Sequence, residues 1–229
     1  MQFITVAGPP SSGKTSVILN AIDRLKAQGK RVGVVKFDCL SSLDDETYER
    51  HDVPVVVGLA GNLCPDHFFI INIEQCIEWG EREGFDVLIS ESAGLCNRCS
   101  PHVRGILAIC VIDNLAGINT PKKIGPMLRL ADVVVVTKGD IVSQAEREVF
   151  YNHIHQVNPR ARIVPANGIT GQGSVQIANL MAAERDVETL LGEHLRFSMP
   201  SGLCSYCLGQ TLVSDTNSSG SVRRIDFGH

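Results

Sequence analysis

The chain has few aromatic residues. Phe, Trp and Tyr make up 5% of its 229 residues, with a single Trp, which argues against a nucleic-acid surface built on base stacking. It also lacks an excess of charge of one sign. Lys and Arg number 21 against 25 Asp and Glu, a formal net charge of −4, so nothing draws the whole molecule to polyanions or anionic membranes. No apolar run approaches the roughly 20 residues needed to span a bilayer. The first residues, Met1–Ala7, have neither the basic start nor the small-residue cleavage site of a secretory leader. These absences lead to the expectation of a cytoplasmic protein with no nucleic-acid partner and no membrane span.

Cysteine, by contrast, is plentiful: there are eight. In a short secreted chain they would read as a disulfide framework. A chain of this length that is 44% hydrophobic and 20% charged can instead bury its own core. In a reducing compartment, cysteines placed in pairs point to metal or redox chemistry.

Short β-rich runs alternate with helical patterns. Strands are expected over 3–7, 31–37, 53–59, 86–90, 107–113, 132–137 and 162–166. Helices are expected over 15–28, 44–51, 73–83, 121–130, 143–155 and 174–191. Continuously apolar strands such as 133–136 fit a parallel sheet covered on both faces. The alternation predicts an α/β fold with a doubly wound, mostly parallel sheet. After about residue 195 the pattern lapses, so the chain divides into a body over 1–195 and a short Cys-containing appendage over 196–229.

Three motifs fall where this reading places loops. The first strand runs into Gly8-Pro9-Pro10-Ser11-Ser12-Gly13-Lys14-Thr15, the P-loop pattern, which makes this a P-loop NTPase fold. Its glycines let backbone N–H groups wrap phosphates, with Gly8, Ser11, Ser12, Gly13 and Ser16 forming the cradle. Lys14 reaches the β- and γ-phosphates, and the Thr15 hydroxyl ligates Mg²⁺. Glu91-Ser92-Ala93-Gly94 follows a hydrophobic strand. Glu91 is placed to hold Mg²⁺ or its water, and the Gly94 N–H to sense the γ-phosphate. Thr137-Lys138-Gly139-Asp140 fits a guanine reader: Asp140 accepts from N1–H and the exocyclic amine, and Lys138 packs on the ring.

With these motifs in this order, the sequence resembles the nickel-insertion GTPases of hydrogenase and urease maturation, of the SIMIBI class. The resemblance spans roughly residues 2–185 and includes the stretches 121–132, 158–163 and 170–173. It implies slow hydrolysis of GTP to GDP with Mg²⁺, a homodimer that depends on nucleotide or metal, and metal delivery to a client metalloenzyme or its maturation proteins. Asp38 matches the family's aspartate near Mg²⁺. Cys64-Pro65-Asp66-His67 is similar to the Cys-Pro-His motif of the urease branch with one residue added. Cys64 and His67 would still meet one Ni²⁺ or Zn²⁺.

Cys96-Asn97-Arg98-Cys99 and Cys204-Ser205-Tyr206-Cys207 depart from that pattern. Two Cys-x-x-Cys turns can complete a four-sulfur zinc site or hold an iron–sulfur cluster. A redox dithiol and inert thiols are the alternatives. Because Cys96 and Cys99 lie just beyond Gly94, nucleotide state should alter metal geometry through 91–99. Cys76, Cys110 and Trp79 read as packing. So does the run 68–71, with a partner surface as the alternative for Phe68-Phe69 if exposed. Cys39 reads as packing, with membership of the site beside Asp38 as the alternative, and His102 as a surface histidine, with a further ligand as the alternative. Two other functions stay open: a P-loop kinase for a small molecule, and a zinc or iron–sulfur regulator that holds nucleotide without turnover.

Overall fold

A computed structural model of the chain describes residues 1–40, 44–95, 98–198, 209–214 and 224–228. Cys96, Cys204 and Cys207 lie outside them. Among the described residues, seven strands form one sheet: β1 (Gln2–Ala7), β2 (Val32–Asp38), β3 (Val55–Leu59), β4 (Val87–Ser92), β5 (Leu107–Asp113), β6 (Val133–Thr137) and β7 (Arg162–Pro165). Their order is β3-β2-β4-β1-β5-β6-β7, and every neighbouring pair is parallel. The doubly wound P-loop architecture expected from the alternation is what forms. β1 lies centrally, so the loop leaving its carboxyl end opens where chains diverge to either side, the usual ligand crevice of such sheets.

One face of the sheet is covered by α1 (Lys14–Ala27) and α8 (Ser174–Ala182), whose Val17, Ile18, Ile22, Ile177 and Met181 pack on Ile4, Val6, Val34 and Ile89. The other face carries α3 (Pro65–Ile71) and α4 (Ile73–Glu83), with Phe68, Phe69 and Trp79 against Phe3, Val35 and Phe37. A third cluster joins α6 (Pro126–Arg129) and α7 (Gln144–Val157) to β5 and β6 through Met127, Leu128, Phe150 and Ile154. α2 (Asp44–Arg50) precedes β3. Parallel strands alternate their side chains between the faces. Glu91 therefore points towards α1, and Ser92 towards α3.

The helix expected over 121–130 is two short ones. α5 (Thr120–Lys123) ends before Gly125, which takes φ +67, and α6 starts on Pro126. The glycine supplies a left-handed turn that breaks the run. The helix expected over 174–191 stops at Ala182, because the following residues are tied elsewhere: Val187 N–H donates to Met1 O at 2.7 Å, and Leu190 N–H to Glu74 at 3.0 Å. α3 was not expected at all. Its seven residues are all buried, so it shows no amphipathic period. The described parts of 196–229 lie on the body: Val213 is buried in the α4-side core, and Phe227 stacks 5.8 Å from Trp79.

His102 is also not at the surface. Its exposure is 0%, and its ring sits between the Thr5 hydroxyl, 2.9 Å from Nδ1, and Met127 O, 3.2 Å from Nε2. A carbonyl can only accept, so Nε2 carries the proton and Nδ1 accepts from Thr5. Burial first, and Arg196 second, push its pKa down to about 3. Cys76 and Cys110 are core residues with fully buried thiols, as expected.

Candidate functional site

Gly13 takes φ +86 and caps α1 in the left-handed region, a conformation glycine adopts without strain. The turn opens α1 with the N–H groups and positive dipole end that suit an anion. Lys14 folds back over its own loop, donating to Gly8 O at 3.0 Å and Pro9 O at 2.9 Å. Beside it opens a cavity of about 420 Å³ lined by Ser11, Gly13, Lys14, Thr15, Ser16, Lys36, Asp38, Glu91 and Ala93. Gly94, at φ +56, lies so close to the P-loop that any Cβ would strike Gly8 O. The second motif thus touches the first through two glycines.

Glu91 is fully buried and held by three donors. Thr15 Oγ1 donates to Oε1 at 2.9 Å, Lys36 Nζ to the same oxygen at 2.7 Å, and the Tyr48 hydroxyl to Oε2 at 2.7 Å. Asp38, at the end of β2, lines the same cavity and accepts from the Cys39 N–H at 2.8 Å. A hydroxyl and two carboxylates are hard oxygen donors of the kind Mg²⁺ takes, so the donor set fits that ion. Lys36 and Tyr48 carry no sequence signal: a lysine inside a strand and a tyrosine on a polar helix resemble solvent-facing positions.

The third motif is tied to the first. Thr137 Oγ1 donates to Ser12 O at 2.7 Å, and Lys138 Nζ to Ser11 O at 2.7 Å. Asp140 is exposed and lines a cavity of about 150 Å³ together with Gly13, Ser16, Lys138, Asn167 and Gly168. The Asp140 carboxylate gives this cavity an acceptor beside the apolar Ile141 and Ile169. Asn167 and Gly168, in the loop after β7, are wall residues that the sequence reading missed. The signal was a glycine packed on the P-loop helix: a Cβ on Gly168 would come 2.7 Å from Ser16 Cβ.

Three thiols gather near Asp38. Cys64 caps α3, and Cys99 lies five residues past Gly94. The two side chains share a hydrogen bond, and that contact holds the Cys64 pKa below the usual thiol range. Burial and Asp66 oppose it, while the backbone N–H groups of Asp66 and His67 add to it. Cys39 stands nearby, its pKa pushed up by burial, then by Asp38 and Cys64. His67 is buried on α3, and burial lowers its pKa. Among the described residues no three Cys, His, Asp or Glu side chains form a metal cluster.

Asp66 lies between the strand of Glu91 and the helix capped by Cys64. It is fully buried, accepts a short hydrogen bond from the Ser92 hydroxyl, and has an Oδ2 with no partner among the described residues. Burial raises its pKa to about 6, against the Ser92 bond and Lys14. The next residue after Glu91 therefore grips the helix that begins at Cys64.

Fold and site together define a P-loop nucleotide-binding protein whose phosphate cavity adjoins a pair of thiols. Family comparison is more specific. The CobW/HypB/UreG nucleotide-binding domain matches residues 2–165, and the chain belongs to that family. An uncharacterized protein of Methanocaldococcus jannaschii is 48% identical over 226 residues, covering 99% of this chain and 97% of its own. The urease accessory protein UreG of Natronomonas pharaonis is 31% identical over 159 residues, 64% of this chain and 76% of that protein. Among solved structures, HypB from Helicobacter pylori in complex with nickel superposes with a TM-score of 0.63 at 20% identity, covering 79% of this chain and 85% of that one. The hydrogenase maturation factor HypB from Archaeoglobus fulgidus gives 0.59 at 20% identity, covering 78% and 88%. These place the chain with the SIMIBI P-loop GTPases of the hydrogenase and urease maturation family. No helix among the described residues is long and apolar enough to cross a membrane.

Proposed function

We propose that the protein is a GTP-hydrolysing metallochaperone, which couples its nucleotide state to holding and releasing a thiophilic metal ion, Ni²⁺ or Zn²⁺, or a metal cluster, for a client metalloenzyme. The observation that carries this reading is the route from Glu91 to the thiols. Glu91 faces the phosphate cavity. Ser92, on the opposite face of β4, is bonded to Asp66, two residues from Cys64. Cys99 follows Gly94 on the same segment and meets Cys64. A shift of β4's end towards the γ-phosphate would move both sulfurs relative to each other.

In the reaction, a water oxygen bonds to the γ-phosphorus as the bond to the bridging oxygen breaks, giving GDP and phosphate. Mg²⁺, held by Thr15, Asp38 and Glu91, would neutralise charge on the phosphates. Lys14 leaves its loop carbonyls for the β- and γ-phosphates. Glu91, steadied at Oε2 by Tyr48, orients the water. Asp140 and Lys138 select guanine. The cargo metal is received by Cys64 and Cys99, with His67, Cys96, Cys204 and Cys207 as further ligands and a second copy of the chain as partner. The nickel-bound Helicobacter pylori neighbour and the UreG relative support this reading.

Multiple-turnover phosphate release from GTP tests the enzymatic half. Steady release without an added acceptor, lost in Lys14→Ala, is expected. GDP formed only with a small-molecule acceptor, its phosphoryl group on that acceptor and not released, would make the protein a kinase, and no GDP formed at all would make it a regulator that merely holds nucleotide.

A further inference from the structure

The phosphate cavity contains a second buried cation besides Lys14. Lys36 is the direct cross-strand neighbour of Glu91 in the β2–β4 register, so both side chains leave the same face of the sheet and enter the cavity. The Lys36 side chain is 4% exposed. Its ammonium and the Thr15 hydroxyl share one acceptor, Glu91 Oε1. A positive charge thus stands beside the oxygens that would hold a divalent ion. Lys36 lines this cavity and not the one lined by Asp140 and Asn167; the two share Gly13 and Ser16, so a nucleotide with its base in the second and its chain across Gly13 would carry its terminal phosphate into the first.

We propose that Lys36 is a second phosphate-binding lysine, resting on Glu91 when the terminal phosphate is absent and moving to a γ-phosphate oxygen when a nucleoside triphosphate binds. The proposal rests on the reading of this cavity as a nucleoside triphosphate site. The ammonium cannot share Oε1 with a divalent cation without strong repulsion at contact distance. The new anionic charge within reach of its flexible four-carbon stem is the terminal phosphate. Tyr48 keeps Glu91 in place at Oε2 during the exchange. Arrival of the triphosphate would thereby release Glu91 for its own role, and a diphosphate, too short to accept the ammonium, would leave Lys36 on Glu91.

Equilibrium binding of fluorescent GDP and of the non-hydrolysable triphosphate GMPPNP to the full chain tests this, with and without Mg²⁺. Lys36→Met should weaken GMPPNP by about tenfold or more, the worth of one charged hydrogen bond, and leave Mg²⁺-free GDP within about twofold. Because Lys36→Met leaves a buried carboxylate without its cation, the same comparison is made between Glu91→Gln and Lys36→Met/Glu91→Gln, where the triphosphate should again lose. An unchanged ratio of GMPPNP to GDP affinity in both comparisons overturns the proposal and makes Lys36 a structural partner of Glu91. Failure of the wild-type chain to bind either guanine nucleotide overturns the underlying reading with it.

Discussion

His102 and Asp66 are both fully buried and titratable, and they respond to acid in opposite directions. The His102 pKa is about 3 in the folded chain and about 6.5 when unfolded. Between those values the unfolded state binds the extra proton, so acidification costs about 1.4 kcal/mol per pH unit. Asp66 is raised to about 6 from an unfolded value of about 3.9. There the folded state holds the extra proton, and acidification over that window stabilises. The two effects oppose each other between about pH 6 and 4. His102→Gln keeps a donor and an acceptor at this position and removes only one of the two. Its melting temperature relative to wild type should be constant above pH 7 and rise steadily towards pH 5. Parallel melting curves over that range would contradict the assignment of a neutral, proton-refusing ring. Base choice is likewise a single-residue matter. Asp140→Ala should cost guanine nucleotides on the order of a hundredfold in affinity and spare adenine nucleotides, a difference read by competition binding.

At the scale of elements, α7 has the most local support. Its Ser143 side chain accepts from Glu146 N–H at 3.2 Å, and the Glu146 carboxylate accepts from Ser143 N–H at 2.9 Å, a reciprocal cap. Ser143→Ala should cost about 1 kcal/mol in chemical denaturation. Such local devices are what a sequence displays. α4 could be read to the residue over 73–83 because its apolar side recurs with helical period and Gly84 ends it in the left-handed region. The strands were visible as apolar runs, and the P-loop as glycines before a helix. What stayed hidden depends on contacts distant in sequence. α3 has no period because both its sides are covered. The partnership of Lys36 with Glu91 exists only through the β2–β4 register, and the meeting of Cys64 with Cys99 only through the docking of α3 on β4. Of the cysteines in the two Cys-x-x-Cys pairs only Cys99 is among the described residues, and it meets Cys64 of Cys64-Pro65-Asp66-His67.

For the whole molecule, the sheet separates two tasks by face. The α1 face of β4 presents Glu91 to the phosphate cavity, and the α3 face presents Ser92 to the helix of Cys64. Strand pleating makes consecutive residues serve opposite sides, so one strand can carry a signal across the layer. Ser92→Ala removes the grip on Asp66 without touching either the P-loop or a sulfur. It should leave nucleotide affinity near wild type while reducing any difference in metal affinity between nucleotide states. Titration calorimetry of Zn²⁺ into each nucleotide form of the variant checks this.

The most direct measurement of the coupling is the affinity of the wild-type protein for Ni²⁺ and Zn²⁺ in its GDP and GMPPNP forms, with Cys64→Ser as the reference. Affinities that differ by about tenfold or more between the two forms, with the difference abolished in Cys64→Ser, are predicted. Equal affinities in both nucleotide states would contradict it.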